Sequence, residues 1–260
     1  MLRGFYTAAS GMFAEQRRTE MLTNNLANMN TPGYKEDQAA IRAFPEMLLQ
    51  RIGGQNQFTG SREVGSLNTG VYMQEILPRF IQGDLRQTDR NMDLALTDRS
   101  DQPVFFTVEN NDQIKYTRNG SFTLDSDGLL TTSEGFPVLD EAGNRIQLNS
   151  EEFTVSDRGI ILENGNEVAR LGIAITDNPE ALIKEGSGLF RTENNEPLMN
   201  ANIDTYAISQ GFIEGANVDP SKAMTEMLTA YRAFEANQKV LQAYDKSMEK
   251  AVNEIGRVNG

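Results

Sequence analysis

Three residue types that anchor much of protein chemistry are missing from this chain of 260 residues: it has no cysteine, no histidine and no tryptophan. Without cysteine there is no disulfide, no thiolate nucleophile and no soft metal site, and without histidine the commonest general base and zinc ligand is gone. Most familiar catalytic constellations, and any metal or other cofactor held by them, are excluded. The lack of cysteine suits a cytosolic chain and equally an exported one that must escape oxidative trapping. No apolar run reaches the roughly 18 to 20 residues that span a bilayer, so no integral membrane segment is expected. Positive charge is also in short supply: 24 Lys and Arg against 37 Asp and Glu give a formal net charge of −13. Such a balance repels nucleic-acid phosphates and anionic lipid, so no nucleic-acid partner is expected. A cleaved signal peptide is not expected either, because Thr7, Ser10 and two glycines interrupt the apolar run after Arg3, whose spacing continues past Arg18.

What is present is concentrated at the two ends. Written as heptads, the N-terminus puts Phe5, Met12, Thr19 and Leu26 at one seam position and Ala8, Glu15, Leu22 and Met29 at the other, an amphipathic stripe of the helical or coiled-coil kind. Thr31 precedes Pro32, which disfavours helical geometry, and Gly33 is free to take a positive φ. A helix of roughly 28 residues, about 40 Å long, is therefore predicted before that stop. At the other end Asp219 suits an N-cap and Pro220 the first helical position. Met227, Phe234, Leu241, Met248 and Ile255 then recur every seven residues, predicting about 37 residues of helix. Met224, Tyr231 and Val252 fill most of a second seam position, interrupted by Gln238 and Asp245, while Leu228, Ala230, Val240 and Tyr244 widen the stripe.

Between the helices the texture changes. Residues 36–70 carry scattered apolar residues and then the run GGQNQFTGSREVGSLNTG, which reads as an irregular connection. From 71 to 215, short alternating runs are divided by Asn119-Gly120, Asp127-Gly128, Glu134-Gly135 and Ala142-Gly143, the punctuation of a β-meander or small barrel. The expected fold class is α+β: N- and C-terminal coiled-coil-type helices flanking an inserted all-β domain. Its parts are a terminal helical domain of residues 1–35 plus 216–260, the connection 36–70, and a β-rich domain 71–215. Two helices alone leave much of such stripes uncovered, so Phe5, Met12, Leu22, Leu26, Met227, Phe234, Leu241, Met248 and Ile255 are read as packing residues between copies.

Candidate chemistry is thin. Ser247 and Lys250 have the S-x-x-K spacing of serine acyl-transfer enzymes, but the partner motifs are absent and the pair falls on a helix. Asp125, Asp127 and Glu134 resemble a calcium loop whose glycine, Gly128, stands at position four instead of six. Gly186-Ser187-Gly188 lacks the third glycine of a dinucleotide fingerprint. Asn119-Gly120-Ser121 is a formal glycosylation sequon in what reads as a tight hairpin. The acidic pairs Glu151-Glu152 and Asp98 with Asp101 read as solvated surface. No catalytic, metal-binding or cofactor-binding residue is assigned.

NNLANMNTPGYK at 24–35 resembles the N-terminal signature of the bacterial flagellar rod, hook and hook-associated axial proteins. GFIEGANVDPSKAMTEMLTAYRAFEANQKVLQAYDKSM resembles that family's closing helix, with Glu214-Gly215-Ala216-Asn217-Val218 at its entry and Ala216 where serine is usual. In the middle, GDLRQTDRNMDLAL and YTRNGSFTLDSDGLLTTSEGFPVLD are similar to the family's β-domain, whereas TDRSDQPVFFTV departs from its usual glycine-containing link. By length the chain is closest to the distal rod group.

The resemblance implies a structural subunit of the basal-body rod that self-assembles into a torque-transmitting helical tube and has no enzymatic activity. It implies terminal helices lining the inside of that tube, with other copies, adjoining rod and hook proteins and the flagellar export apparatus as partners. It implies residence in the basal body within the cell envelope and export without a cleaved signal. Asn28, Thr31, Gly33 and Tyr34 are then the turn that hands the chain from helix to outer domain. The readings from other classes are a secreted β-rich adhesin and a carboxylate-dependent envelope hydrolase.

Overall fold

The computed structural model describes residues 2–51, 62–150 and 152–257. The chain divides into two compact units, one built from Met1–Leu26, Asp37–Leu77 and Pro220–Gly260 and the other from Ala27–Glu36 and Pro78–Asp219. The fold is mixed, with one helix at each end and a β-rich middle.

The first unit contains α1 (Leu2–Ala27) and α2 (Pro220–Arg257). α1 is rich in Ala, Leu, Met, Gln, Glu and Arg, which lose little freedom in a helix. It ends at Ala27, four residues earlier than Thr31, because Asn28 and Asn30 favour turns and the proline bias is felt from Thr31 onward. The helices run antiparallel: Tyr244 lies over Gly4, Asn237 over Gly11, and Thr23 reaches the Met227 sulfur at 3.8 Å. Arg18 and Glu226 add an ion pair at 3.4 Å.

The connection that reads as irregular carries three strands among its described residues. Asp37–Ala43 pairs with Val71–Pro78, and Met47–Arg51 pairs antiparallel with Arg62–Leu67. AAIRAF and MLLQR lack the strict alternation of a half-buried strand, which hid them. Residues 52–61, which include the first half of the Gly and Asn-rich run, lie outside the described residues. The first strand pair is tied to α1, since Thr7 Oγ1 donates to the Thr69 carbonyl at 2.9 Å and Ser10 Oγ accepts from the Val71 amide at 3.3 Å.

The second unit is built on a six-stranded antiparallel sheet, in the order Leu182–Lys184, Leu189–Thr192, Gln113–Thr117, Val104–Asn110, Ile173–Ile175, Met199–Asn200. Its central strand shows why: Val104, Phe106 and Val108 enter one apolar cluster with Leu94, Phe122 and Ile161, and Phe105 between them enters a second with Tyr116 and Phe190. A strand's period of two sends alternate residues to opposite faces, and here both faces are covered. Three smaller pairs, Leu94–Asp98 with Tyr206–Gln210, Leu85–Gln87 with Phe212–Glu214 and Phe122–Leu124 with Leu130–Thr132, and a three-stranded sheet of Phe153–Val155, Ile160–Glu163 and Asn166–Arg170 belong to the same unit.

Three of the four expected turn glycines, Gly128, Gly135 and Gly143, have φ between 77° and 87°. The fourth corrects the sequence reading. Gly120 is no hairpin turn: a Cβ there would collide with the Leu94 carbonyl, and the Leu94 amide donates to the Gly120 carbonyl at 2.9 Å. Asn119 is buried beside it, with its Oδ1 accepting from the Ser121 amide.

Candidate assembly surfaces and the buried crossing

On α1, Leu22 is buried, and Phe5, Met12 and Leu26 are half-buried. On α2, Met227, Phe234, Leu241 and Met248 are half-buried, and the Ile255 side chain lies outside those described. These residues occupy the side of α2 that carries Asn237 and Tyr244, the residues over α1's glycines. The second row of that seam is Ala223, Ala230, Asn237 and Tyr244. The row expected instead, Met224, Tyr231 and Val252, points outward with 52%, 53% and 72% exposure. Gly4 and Gly11, which leave no room for a Cβ beneath Tyr244 and Asn237, let the two helices approach on this row, and the larger apolar residues one position on are left outside it.

Outward-facing apolar side chains therefore form their own features on this unit. Met224, Leu228 and Tyr231 make a ridge on α2, and Tyr6 and Phe13 stand out from α1 with 65% and 61% exposure. A soluble chain that stays alone seldom leaves neighbouring large apolar groups this open.

The signature turn lies in the other unit. The Thr31 amide donates to the Asn28 carbonyl at 3.0 Å and the Tyr34 amide to the Thr31 carbonyl at 3.3 Å. Gly33 has φ 67°, and its amide donates to the Glu214 carbonyl at 2.8 Å. Residues 27–36, leaving α1, thus meet residues 212–219, which lead into α2. Asn217 closes the contact: its Oδ1 accepts from the Glu36 amide at 2.6 Å, and its Nδ2 donates to the carbonyls of Arg79 and Ile81. The Lys184 ammonium stands 3.9 Å from the centre of the Tyr34 ring.

Beneath this crossing is a charge quartet that the sequence reading missed. Glu214 is fully buried and accepts from Lys35 Nζ at 2.6 Å, from the Gly83 amide at 2.8 Å and from Arg118 Nε at 2.8 Å. Arg118 Nη1 reaches Asp98 Oδ1 and the Val104 carbonyl, both at 2.6 Å. Asp98, which reads as solvated surface, is thereby corrected to a largely buried ion-pair partner. Two cations and two anions balance, as burial demands.

Burial lowers the Lys35 ammonium's pKa, and the Glu214 charge offsets this only in part. Burial by itself would raise the Glu214 carboxyl, but Arg118 and Lys35 outweigh it and hold the group below its ordinary 4.5. A depressed carboxyl contributes stability that is complete above its unfolded value and is lost as pH falls through its folded value. Lys35 acts alike in sign, for a depressed amine binds more protons unfolded and its burial cost is relieved only as pH rises. The β-rich unit is therefore expected to lose thermal stability steadily below pH 4.5, with Glu214→Gln flattening that acid limb. Melting temperature against pH for the two proteins checks it; parallel curves would contradict it.

Among the described residues no cluster of acidic side chains is arranged to hold a metal ion, and no helix is long and apolar enough to cross a membrane. Ser247 is exposed on α2 and donates to its own helix at Ala243. Apolar ridges on paired terminal helices, beside a buried charge quartet that ties the chain's own crossing, are the features of an assembly component.

Comparison with known proteins identifies which. Residues 5–35 match the family described as flagella basal body rod protein, and residues 209–254 match the flagellar basal body rod FlgEFG protein C-terminal region. Residues 104–163 match the flagellar hook protein FlgE/F/G D1 domain. The chain is 45% identical to the flagellar hook-basal body complex protein FlhO of Bacillus subtilis, across 99% of this chain and 100% of the relative. It is 30% identical to the flagellar basal-body rod protein FlgG of the same species, across 97% and 99%. Identity to the flagellar basal-body rod protein FlgF of Caulobacter vibrioides is 28%, across the full length of both. The chain belongs to the flagellar basal-body rod and hook protein family.

Proposed function

We propose that this chain is a structural, non-catalytic subunit of the flagellar basal-body rod. It is exported without a cleaved signal and assembles with copies of itself and with adjoining rod or hook proteins into a helical tube that transmits torque. Family membership over the whole chain supports this reading, and the observation that carries it is the apolar surface left open on α1 and α2. Contacts between unlike faces of identical subunits do not close on themselves, which favours a continuing helical stack.

In this reading Phe5, Met12, Leu22, Leu26, Met227, Phe234, Leu241, Met248 and Ile255 hold the helices in a coiled-coil-like layer, with neighbouring copies covering what the seam leaves exposed. Asn28, Thr31, Gly33 and Tyr34 set the direction in which the chain leaves that layer. The test is Phe234→Asp with Leu241→Asp, returned to the source bacterium in place of the native gene. An aspartate in an apolar contact costs roughly 2 kcal/mol or more, so loss of swimming and of the subunit from isolated basal bodies is expected. Lys246→Asp, on an exposed position of the same helix, is expected to swim. Normal motility of the double variant would refute the packing role.

A further inference from the structure

An open groove of about 360 Å³ lies along α1, lined by Ser10, Phe13, Ala14 and Arg17 and, from the adjoining strands, by Phe44, Val71, Tyr72 and Met73. Phe44 and Tyr72 stack with ring centres 5.1 Å apart to form its floor. At about 100° per residue, Phe13 and Arg17 lie on the far side of α1 from Gly4 and Gly11, so α2 of the same chain does not cover them. The Met224, Leu228 and Tyr231 ridge is an exposed apolar row on a side of α2 turned away from α1. Its residues sit at spacings of four and three, so they form one continuous row.

Charge is matched as well as apolar character. Arg17 is exposed at the groove and Glu235 follows Tyr231 by one helical turn at the end of the ridge; neither makes an ion pair among the described residues. An apolar acceptor with a cation at its edge and an apolar donor ending in an anion thus lie on different faces of one unit. Their union needs a second copy, and because donor and acceptor differ, each copy joined leaves one of each free.

We propose that the Met224–Leu228–Tyr231 ridge of one copy docks into the Phe13–Phe44–Tyr72 groove of the next, with Glu235 meeting Arg17. This rests on the self-assembly reading and specifies its contact. The absence of cysteine makes a direct test clean. Full-length Phe13→Cys and Leu228→Cys proteins are mixed at a concentration where light scattering detects self-association, then oxidised. Each chain carries a single thiol, so a mixed dimer forms only between copies. Its yield is expected to exceed by roughly tenfold that of Phe13→Cys mixed with Val240→Cys, because docking raises the local thiol concentration; Val240 is exposed on another side of α2. In parallel, Arg17→Glu and Glu235→Arg are each expected to weaken self-association roughly fivefold, and the double swap to restore it. Self-association without enrichment of the mixed dimer, or without rescue by the swap, overturns the docking contact and leaves the assembly reading standing. Absence of self-association from the parent protein and every variant at all concentrations overturns both.

Discussion

Glu214→Gln is expected to destabilise the β-rich unit by about 3–5 kcal/mol, the usual cost of removing one partner from a buried ion pair. The substitution is nearly isosteric, so packing is not what changes. The carboxylate takes three donors, from Lys35, Gly83 and Arg118, at 2.6–2.8 Å. An amide has one acceptor oxygen, and its nitrogen must turn a donor toward another donor. Two cations would then share a single buried anion, Asp98. Against a total stability of roughly 5–15 kcal/mol for a domain, that loss is large.

Lys35→Met separates charge from shape. Alone it leaves the Ile81 carbonyl without its 2.8 Å donor and Glu214 short of one cation. In the Glu214→Gln background it removes a cation that has already lost its anion, so it is expected to cost less there, with a coupling of about 1–3 kcal/mol. Denaturant unfolding followed by near-ultraviolet circular dichroism reports on this unit selectively, because the chain has no tryptophan and the buried tyrosines Tyr34, Tyr116 and Tyr206 all belong to it. Equal costs of Lys35→Met in both backgrounds would mean that the quartet is a set of separate hydrogen bonds rather than one electrostatic unit.

Legibility in the sequence followed the range of the interactions. The terminal helices were readable because heptad spacing is local, and Pro32, Asp219 and Pro220 mark their ends within a few residues. Which helical row faces the partner was harder to see, since hydrophobicity favours Met224 and Tyr231 while close approach selects Ala223 and Ala230. The β-rich middle announced itself through alternation and turn glycines, although Gly120 carries the letters of a hairpin and performs a different task. The quartet had almost no signal. Lys35 and Glu214 are 179 positions apart, and nothing local distinguishes them among 24 basic and 37 acidic residues. The one available hint was position: Lys35 is the first charge after an uncharged run from Met21 to Tyr34, two residues after a chain-reversing glycine. Family resemblance covered these stretches without explaining why a lysine and a glutamate stand in them.

That glycine supports the second large prediction. Gly33→Ala is expected to cost roughly 3 kcal/mol or more, far above a routine surface change. Two penalties combine. Alanine at φ 67° enters the left-handed region, a penalty of about 1–2 kcal/mol. A Cβ at this position would also overlap the Arg118 carbonyl and sit 2.5 Å from the Asn119 nitrogen, both rigid backbone. Retreat is blocked, because the Gly33 amide is held at 2.8 Å by the Glu214 carbonyl and moving it would open the crossing above the quartet. Gly135→Ala isolates the first penalty: Gly135 has φ 87°, yet a Cβ there has nothing within 4 Å. Its cost is expected to stay near the conformational penalty alone. The difference between the two variants measures the steric closeness of the crossing, and equal destabilisation would show that the left-handed backbone, and not contact with Arg118 and Asn119, is what requires glycine at 33. In the assembled protein the same substitution is expected to abolish swimming where Gly135→Ala does not, because it strikes the turn proposed above to set the direction in which the chain leaves α1.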